Sequence, residues 1–223
     1  MVFLAHADVE HLAESAEAYG SRTDGTLVRW MSYTGARIGE ALALTVGDLD
    51  LARRRAVIRQ TWTEDGGRMV LGAPKTGKSR TVPVHGFLIS DLASLVYGQP
   101  DNAYVFRAAR GGPISAHNWR SRVWPKALMS AGLTEGDLAP QALRHTAASM
   151  ANAAGADVLV VQNMLGHATA TETLNRYGHL WPDRLDEVTN AMGRARDPAL
   201  SRGQSSLIPG HPDSCPTEPR EAA

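Results

Sequence analysis

Between His6 and Ala18, apolar residues return at helical spacing (Val9, Leu12, Ala13, Ala16), which predicts a helix. Asp8 and Glu10 fall in its first turn, where the helix dipole favours acids. Thr26 to Ser32, carrying Leu27, Val28, Trp30 and Met31, predicts a buried helix that stops near Gly35. Helical spacing resumes from Ile38 to Leu44 through Ile38, Ala41 and Leu42. After Gly47-Asp48 the period changes. Residues 56–62 and 80–84 read as strands, with a short one at Met69-Val70-Leu71. Gly66-Gly67 and Thr76-Gly77 are the turns between them, predicting a small three-stranded antiparallel sheet.

Beyond Pro83 the helical period returns over residues 86–97, over Trp119 to Ala131 closed by Gly132, and over Gln141 to Ala154 ending at Gly155. Asp157 is placed to cap the next helix, which runs to Leu165 and stops at Gly166. A short segment leads to Tyr177, and Pro182 opens a final helix through about Met192. From Arg194 on, Pro, Ser, Gly and Glu dominate without periodicity, which predicts a disordered polar tail over 194–223. There are no internal repeats. The expected fold class is α+β: one mostly helical domain over residues 1–193 with a small antiparallel sheet.

A hydrophobic share of 43% with 21% charged residues fits a globular chain, and no run approaches the ~20 apolar residues of a membrane span. The opening Met1-Val2-Phe3-Leu4-Ala5 is too short for a signal-peptide core. The only cysteine, Cys215, lies in the polar tail, so neither a disulfide framework nor a cysteine metal site is expected; a reducing, cytoplasmic location follows. Net charge is zero, but its distribution is uneven. Residues 1–50 hold eight Asp/Glu against three Arg, whereas 51–80 hold eight Lys/Arg against Glu64 and Asp65, a local balance of +6. That block reads either as a phosphate-facing patch or as a solvated hairpin surface.

Five positions carry chemistry suited to a phosphodiester, because guanidinium forks match its oxygens. Each also has a plain reading. Arg37 is a surface arginine paired with Glu40 three residues on; Lys75 is a solubilising lysine at a hairpin tip. Arg144 lies on an alanine-rich helix beside Leu143, Ala147 and Ala148, and a cation there needs a partner or a ligand. His167 follows Leu165-Gly166 as a capped histidine, and Tyr177 is half-buried core.

Taken in order, the segments Thr34-Gly35-Ala36-Arg37-Ile38-Gly39-Glu40, Pro74-Lys75-Thr76 before Thr81-Val82-Pro83, Leu143-Arg144-His145-Thr146, Leu165-Gly166-His167 and Asn175-Arg176-Tyr177-Gly178-His179 resemble the catalytic domain of phage-integrase-type tyrosine recombinases. The resemblance runs from about Phe3 to Met192. It implies a site-specific DNA recombinase in which Tyr177 attacks the scissile phosphate and forms a 3′-phosphotyrosyl bond. Arg37 and Arg144 would clamp the non-bridging oxygens, His167 would donate a further hydrogen bond, and Lys75 would protonate the leaving 5′-oxygen. Neither ATP, metal nor any other cofactor is implied. The expected partners are double-stranded DNA and other recombinase protomers, with Leu185, Val188 and Met192 as contact candidates.

Two departures from the family pattern bear on activity. The usual histidine three residues before the second arginine is Gln141 here, which can hydrogen-bond but cannot hold a proton near neutral pH. A loss of order 10²–10⁴-fold follows if that histidine serves as a base. His145 points about 100° around the helix from Arg144 and away from the face of Gln141, so it is not expected to substitute. The family's N-terminal core-binding domain is also expected to be missing, which predicts weak, salt-sensitive DNA binding. Two other readings use the same residues: a catalytically impaired DNA-binding or assembly remnant, and a type IB topoisomerase-like nicking enzyme.

Overall fold

The computed structural model describes residues 2–133, 138–181 and 189–196. One compact unit ends at Trp181. Helix α1 (His6–Tyr19) buries Val9, Leu12, Ala13 and Ala16 against α2 (Arg22–Thr34), as the spacing predicts. Helix α2 begins four residues before the predicted start at Thr26. Asp24 and Gly25 of that polar stretch are interior, Asp24 accepting from Ser21 Oγ (2.7 Å) and from Trp119 Nε1 (2.9 Å). Gly35 ends the helix in the left-handed region, φ 68°, with its N–H on the Met31 carbonyl at 3.0 Å.

Helix α3 (Ile38–Leu42) is shorter than the predicted 38–44, because Leu44 leaves the helix and its carbonyl accepts from Val105 N at 2.9 Å. The sheet also departs from expectation. Strands β1 (Leu49–Asp50), β2 (Arg55–Ile58) and β5 (Arg80–Pro83) form an antiparallel three-stranded sheet in the order β1-β2-β5, with Ala56 opposite Val82 and Ile58 opposite Arg80. The predicted strand 56–62 is broken at Arg59-Gln60, where Gln60 Nε2 donates to the Ala43 carbonyl (2.9 Å) and Arg59 pairs with Asp48. Its second half becomes β3 (Thr61–Asp65), which makes a separate hairpin with β4 (Arg68–Gly72). Met69-Val70-Leu71 therefore belongs to that hairpin, and the third strand of the sheet is β1.

Residues 86–97 split into a 3₁₀ turn (Gly86–Leu88) and α4 (Ile89–Val96). The predicted helix from Trp119 to Ala131 is two helices, α5 (Ala116–Arg122) and α6 (Trp124–Ser130). Pro125 sits in the first turn of α6; its nitrogen carries no hydrogen, so the ladder cannot run through. Helices α7 (Gln141–Ala153) and α8 (Val158–Leu165) follow the pattern closely, the latter capped by Asp157, which accepts from Leu159 N and Val160 N. The segment before Tyr177 is also helical: α9, Ala170–Tyr177. Only Thr173 and Tyr177 of α9 are buried, and its leucine, Leu174, is exposed, so the run of apolar residues that marks the other helices is missing.

Two apolar clusters hold this unit. The larger gathers Leu12, Trp30, Leu42, Ile58, Leu92 and Phe106; the smaller joins Ala147, Ala148, Val161, Met164, Leu165 and Tyr177. The N-terminal strand-like segment is tied to α7 by Leu4 N donating to Thr146 Oγ1 at 3.1 Å. In the second unit residues 189–196 are helical, so Arg194 to Arg196 belong to a helix rather than to the expected tail. Pro182, Leu185, Val188 and the tail from 197 lie outside the described residues, while Met192 is exposed. Among the described residues, no helix is long and apolar enough to cross a membrane.

Gly166, at φ 67°, closes α8 where an added Cβ would stand 2.6 Å from Arg80 Cδ. Gly166→Ala should therefore lose about 1–3 kcal/mol from backbone strain, and more if Arg80 is displaced; urea denaturation measures it.

Candidate active site

Helix α7 carries Arg144 on its buried face, 1% exposed, among Leu143, Ala147 and Ala148. Its fork is fully engaged: Nη1 donates to the Gly35 carbonyl and Nη2 to the Leu165 carbonyl, each at 2.6 Å. Both carbonyls lie at helix C-termini, those of α2 and α8, where the dipole favours a cation. Burial pulls the guanidinium pKa down to about 9, and the charge of Arg37 adds to the effect. It stays protonated at neutral pH. Its remaining donor, Nε, is buried without a hydrogen-bond partner.

A buried carboxylate organises the other cations. Glu40, 1% exposed, accepts from Arg37 N (2.9 Å) and Arg37 Nη1 (3.0 Å). It also accepts both prongs of the Arg80 fork, Nη1 on Oε1 at 3.0 Å and Nη2 on Oε2 at 2.7 Å. Arg80 Nε donates to the Met164 carbonyl at 2.9 Å, so this strand residue locks β5 to the end of α8. Burial, the largest influence, would raise the Glu40 carboxyl; the Arg80 hydrogen bonds and charge together with the Arg37 N–H and charge outweigh it and hold the group below the ordinary range. Arg80 was counted only within the basic block of the sequence. A carboxylate among Ile38, Ala41 and Leu42 was the signal that a second cation must meet it.

Tyr177 ends α9 with its ring in the smaller core cluster, fully buried. Burial raises its phenol, partly countered by the charges of Arg144 and Arg176. The His167 ring lies parallel to it, centroids 6.3 Å apart at 6°. His167 Nδ1 meets Thr173 Oγ1 at 2.8 Å, while its buried Nε2 has no hydrogen-bond partner. Burial first, then Arg144, pushes the His167 pKa down to about 4, so the ring is neutral at pH 7. The hydroxyl of Tyr177 is 2.7 Å from Nδ1 of His145. That contact brings His145, expected to point away from the face of Gln141, against the tyrosine. Tyr177 reaches α7 on the side of His145, one residue past Arg144, and not on the face of Gln141.

Arg37, Arg144, His167 and Tyr177 thus come together, joined by Glu40, Arg80 and His145. Lys75 and Gln141 are exposed, and among the described residues neither bonds to another member of the set. Lys75 lies in the loop between β4 and β5. That loop borders a cavity of about 260 Å³ lined by Thr76, Lys78, Arg80, Gln162, Gly166 and His167. Of the basic block, Arg53, Arg54, Arg55, Arg68, Lys75 and Lys78 are exposed; Arg59 pairs with Asp48, and Arg80 is consumed by Glu40.

A model of the phage integrase family matches residues 2–184. The chain belongs to the phage integrase family. Among curated relatives of this integrase-family chain, tyrosine recombinase XerD of Mycobacterium tuberculosis (strain CDC 1551 / Oshkosh) is 39% identical over 149 residues, covering 63% of this chain and 42% of that protein. XerD of Corynebacterium glutamicum is 36% identical over 166 residues, covering 74% and 51%. The chain thus spans about half the length of the curated relatives it matches. Among solved structures, the Tn1549 transposon integrase in complex with a circular intermediate DNA superposes with a TM-score of 0.69 at 22% identity, over 86% of this chain and 65% of that one. The catalytic domain of bacteriophage HP1 integrase superposes at 0.59 with 25% identity, over 85% and 94%.

Two outcomes follow for this integrase-family site. Arg80→Met should cost about 3–5 kcal/mol by leaving the buried Glu40 carboxylate short of a partner, and Glu40→Gln in the same chain should recover part of it in a double-mutant cycle. The pH dependence has a definite sign. Folded His167 has its pKa below the ordinary 6.5, so the unfolded chain binds the extra proton first, and stability falls as pH drops from about 6.5 to about 4. The His167 share is roughly 3 kcal/mol; urea titrations across that range should show a flatter profile in His167→Gln.

Proposed function

We propose that this chain is the catalytic domain of a site-specific DNA recombinase that cleaves and rejoins strands through a 3′-phosphotyrosyl intermediate. The observation that carries the reading is a pair of buried nitrogens without hydrogen-bond partners, Arg144 Nε and His167 Nε2, the latter with Glu172 Oε1 beyond hydrogen-bond reach at 3.8 Å, in the cluster that holds the Tyr177 hydroxyl. A buried unpaired donor costs about 1–3 kcal/mol, and the oxygens of a phosphate would satisfy both. The relatives' names, tyrosine recombinase, and the DNA in the Tn1549 integrase complex support the same conclusion.

Tyr177 Oη attacks phosphorus, and the bond to the 5′-oxygen breaks. Arg144 Nε, Arg37 (25% exposed and able to turn toward solvent) and His167 Nε2 stabilise charge on the non-bridging oxygens. For His167 this requires the Nε2–H tautomer, with the Thr173 hydroxyl donating to Nδ1. Lys75, on its exposed loop, closes over the bound strand and protonates the leaving oxygen. Gln141 contributes hydrogen bonds but no proton, which lowers turnover below that of a chain with histidine there. The exposed basic residues of 53–78 hold the flanking phosphates, making affinity steeply salt-dependent. The phosphate bond energy stays in the protein–DNA link, so a free 5′-hydroxyl on another strand can reverse the step.

Because the target sequence is open, the test is capture from a pool of nicked duplexes of random sequence, followed by sequencing of the DNA that migrates with denatured protein. The wild-type chain should form a covalent adduct; Tyr177→Phe should form none, and Arg37→Ala should slow it about 10²–10³-fold. An adduct that persists in Tyr177→Phe would remove the nucleophile assignment. Conversion of captured DNA to recombinant joints, rather than to relaxed circles alone, separates strand exchange from topoisomerase-like nicking.

A further inference from the structure

We propose that His145 is a further catalytic residue, the group that orients the Tyr177 hydroxyl and receives its proton as the phenol attacks. This rests on the strand-cleavage reading above and assigns a base where Gln141 leaves none. The geometry is direct: Nδ1 stands 2.7 Å from Oη, and the two rings are 5.7 Å apart between centroids at 59°. Both partners sit on short rigid elements, α7 and α9, and Tyr177 is held by full burial of its ring. A base must lie within hydrogen-bond reach of the proton it takes; His145 does, whereas Arg176, which also hydrogen-bonds the phenol, is a donor only and cannot accept the proton.

The chemistry balances. With the neutral ring protonated at Nε2, Nδ1 accepts the phenol hydrogen bond. As the Oη–P bond forms, the proton passes from Oη to Nδ1 and the P–O5′ bond breaks, O5′ taking its proton from Lys75. In rejoining, a 5′-hydroxyl gives its proton to the now neutral Lys75 as it attacks phosphorus, the Oη–P bond breaks, and Oη recovers the proton from His145. Burial, with the charges of Arg176 and Arg144 behind it, keeps the His145 ring neutral and so able to accept. Those same arginines face the tyrosinate and favour its charged form, so the field that discourages imidazolium assists the attacking anion.

Two measurements test this, one of them independent of DNA. In ¹⁵N-histidine-labelled protein, the Nδ1 resonance of His145 should shift on Tyr177→Phe; an unchanged resonance overturns the assignment. In the capture assay, His145→Gln should slow adduct formation about 100-fold at saturating DNA with unchanged DNA affinity. Replacing Tyr177 by difluorotyrosine, a more acidic phenol, should recover at least tenfold in His145→Gln and little in the wild type, a rescue that a merely structural histidine would not produce. Gln141→His should gain less than tenfold. A His145→Gln rate within threefold of wild type, or equal effects of difluorotyrosine in both backgrounds, overturns the role of His145 and leaves strand cleavage standing. If the wild-type chain yields no adduct at all, both readings fall together.

Discussion

One buried guanidinium ties the site together. Arg144 reaches from α7 to the last carbonyl regions of α2 and α8, and its two 2.6 Å hydrogen bonds fix where those helices end relative to each other. A charge this deep is stable only because two helix termini present their negative ends to it. Both helices must therefore stop sharply, and both do so at glycines in the left-handed region, Gly35 and Gly166. A Cβ on Gly35 would stand 2.5 Å from Leu165 Cδ2, so the approach that lets one fork span both carbonyls depends on the missing side chain.

That arrangement concentrates positive charge, and Glu40 is what makes it tolerable. It holds Arg37 with one oxygen pattern and Arg80 bidentately, so two of the three neighbouring guanidinium groups share a single buried carboxylate. All three nitrogens of Arg80 are engaged, by this contact and by the Met164 carbonyl, which makes it a structural cation. Arg37 keeps donors to spare and partial exposure, which suits it to an incoming anion. Under the strand-cleavage reading, residues of the same type thus divide into support and ligand-facing roles by how much of each guanidinium the fold has already engaged.

The helices that bury a wide apolar stripe were legible from spacing, as α1, α7 and α8 show, and so were the glycine stops. Elements whose identity depends on a single position were less so. Pro125 divides one apolar run into α5 and α6, and Gln60 ends a strand by bonding to Ala43. Helix α9 buries only Thr173 and Tyr177 and leaves Leu174 exposed, so it has no run of buried apolar residues to mark it. For the site, Arg37, Arg144, His167 and Tyr177 were readable because their spacing along the chain follows a family pattern. Arg80 and His145 were not, because their importance comes from what tertiary packing brings opposite them: a carboxylate forty positions upstream and a phenol thirty-two downstream.

Tyr177 serves two masters, and the site's energetics follow from that. Its ring is a member of the smaller core cluster, which fixes the hydroxyl far more firmly than a surface residue could be fixed. The same burial raises its phenol pKa, which works against a nucleophile. The fold compensates with charge rather than with exposure, through Arg144 and Arg176, and with a neutral acceptor at hydrogen-bond distance. Meanwhile Arg144 Nε and His167 Nε2 have no hydrogen-bond partner, a cost of about 1–3 kcal/mol for each; Glu172 Oε1, 3.8 Å from Nε2, is too far to make that bond. Under the strand-cleavage reading, that cost is recovered when phosphate oxygens arrive, and most fully when their charge grows in the transition state. Donors kept waiting in the unliganded protein need no reorganisation at the moment of attack, which is why a stable fold can retain them.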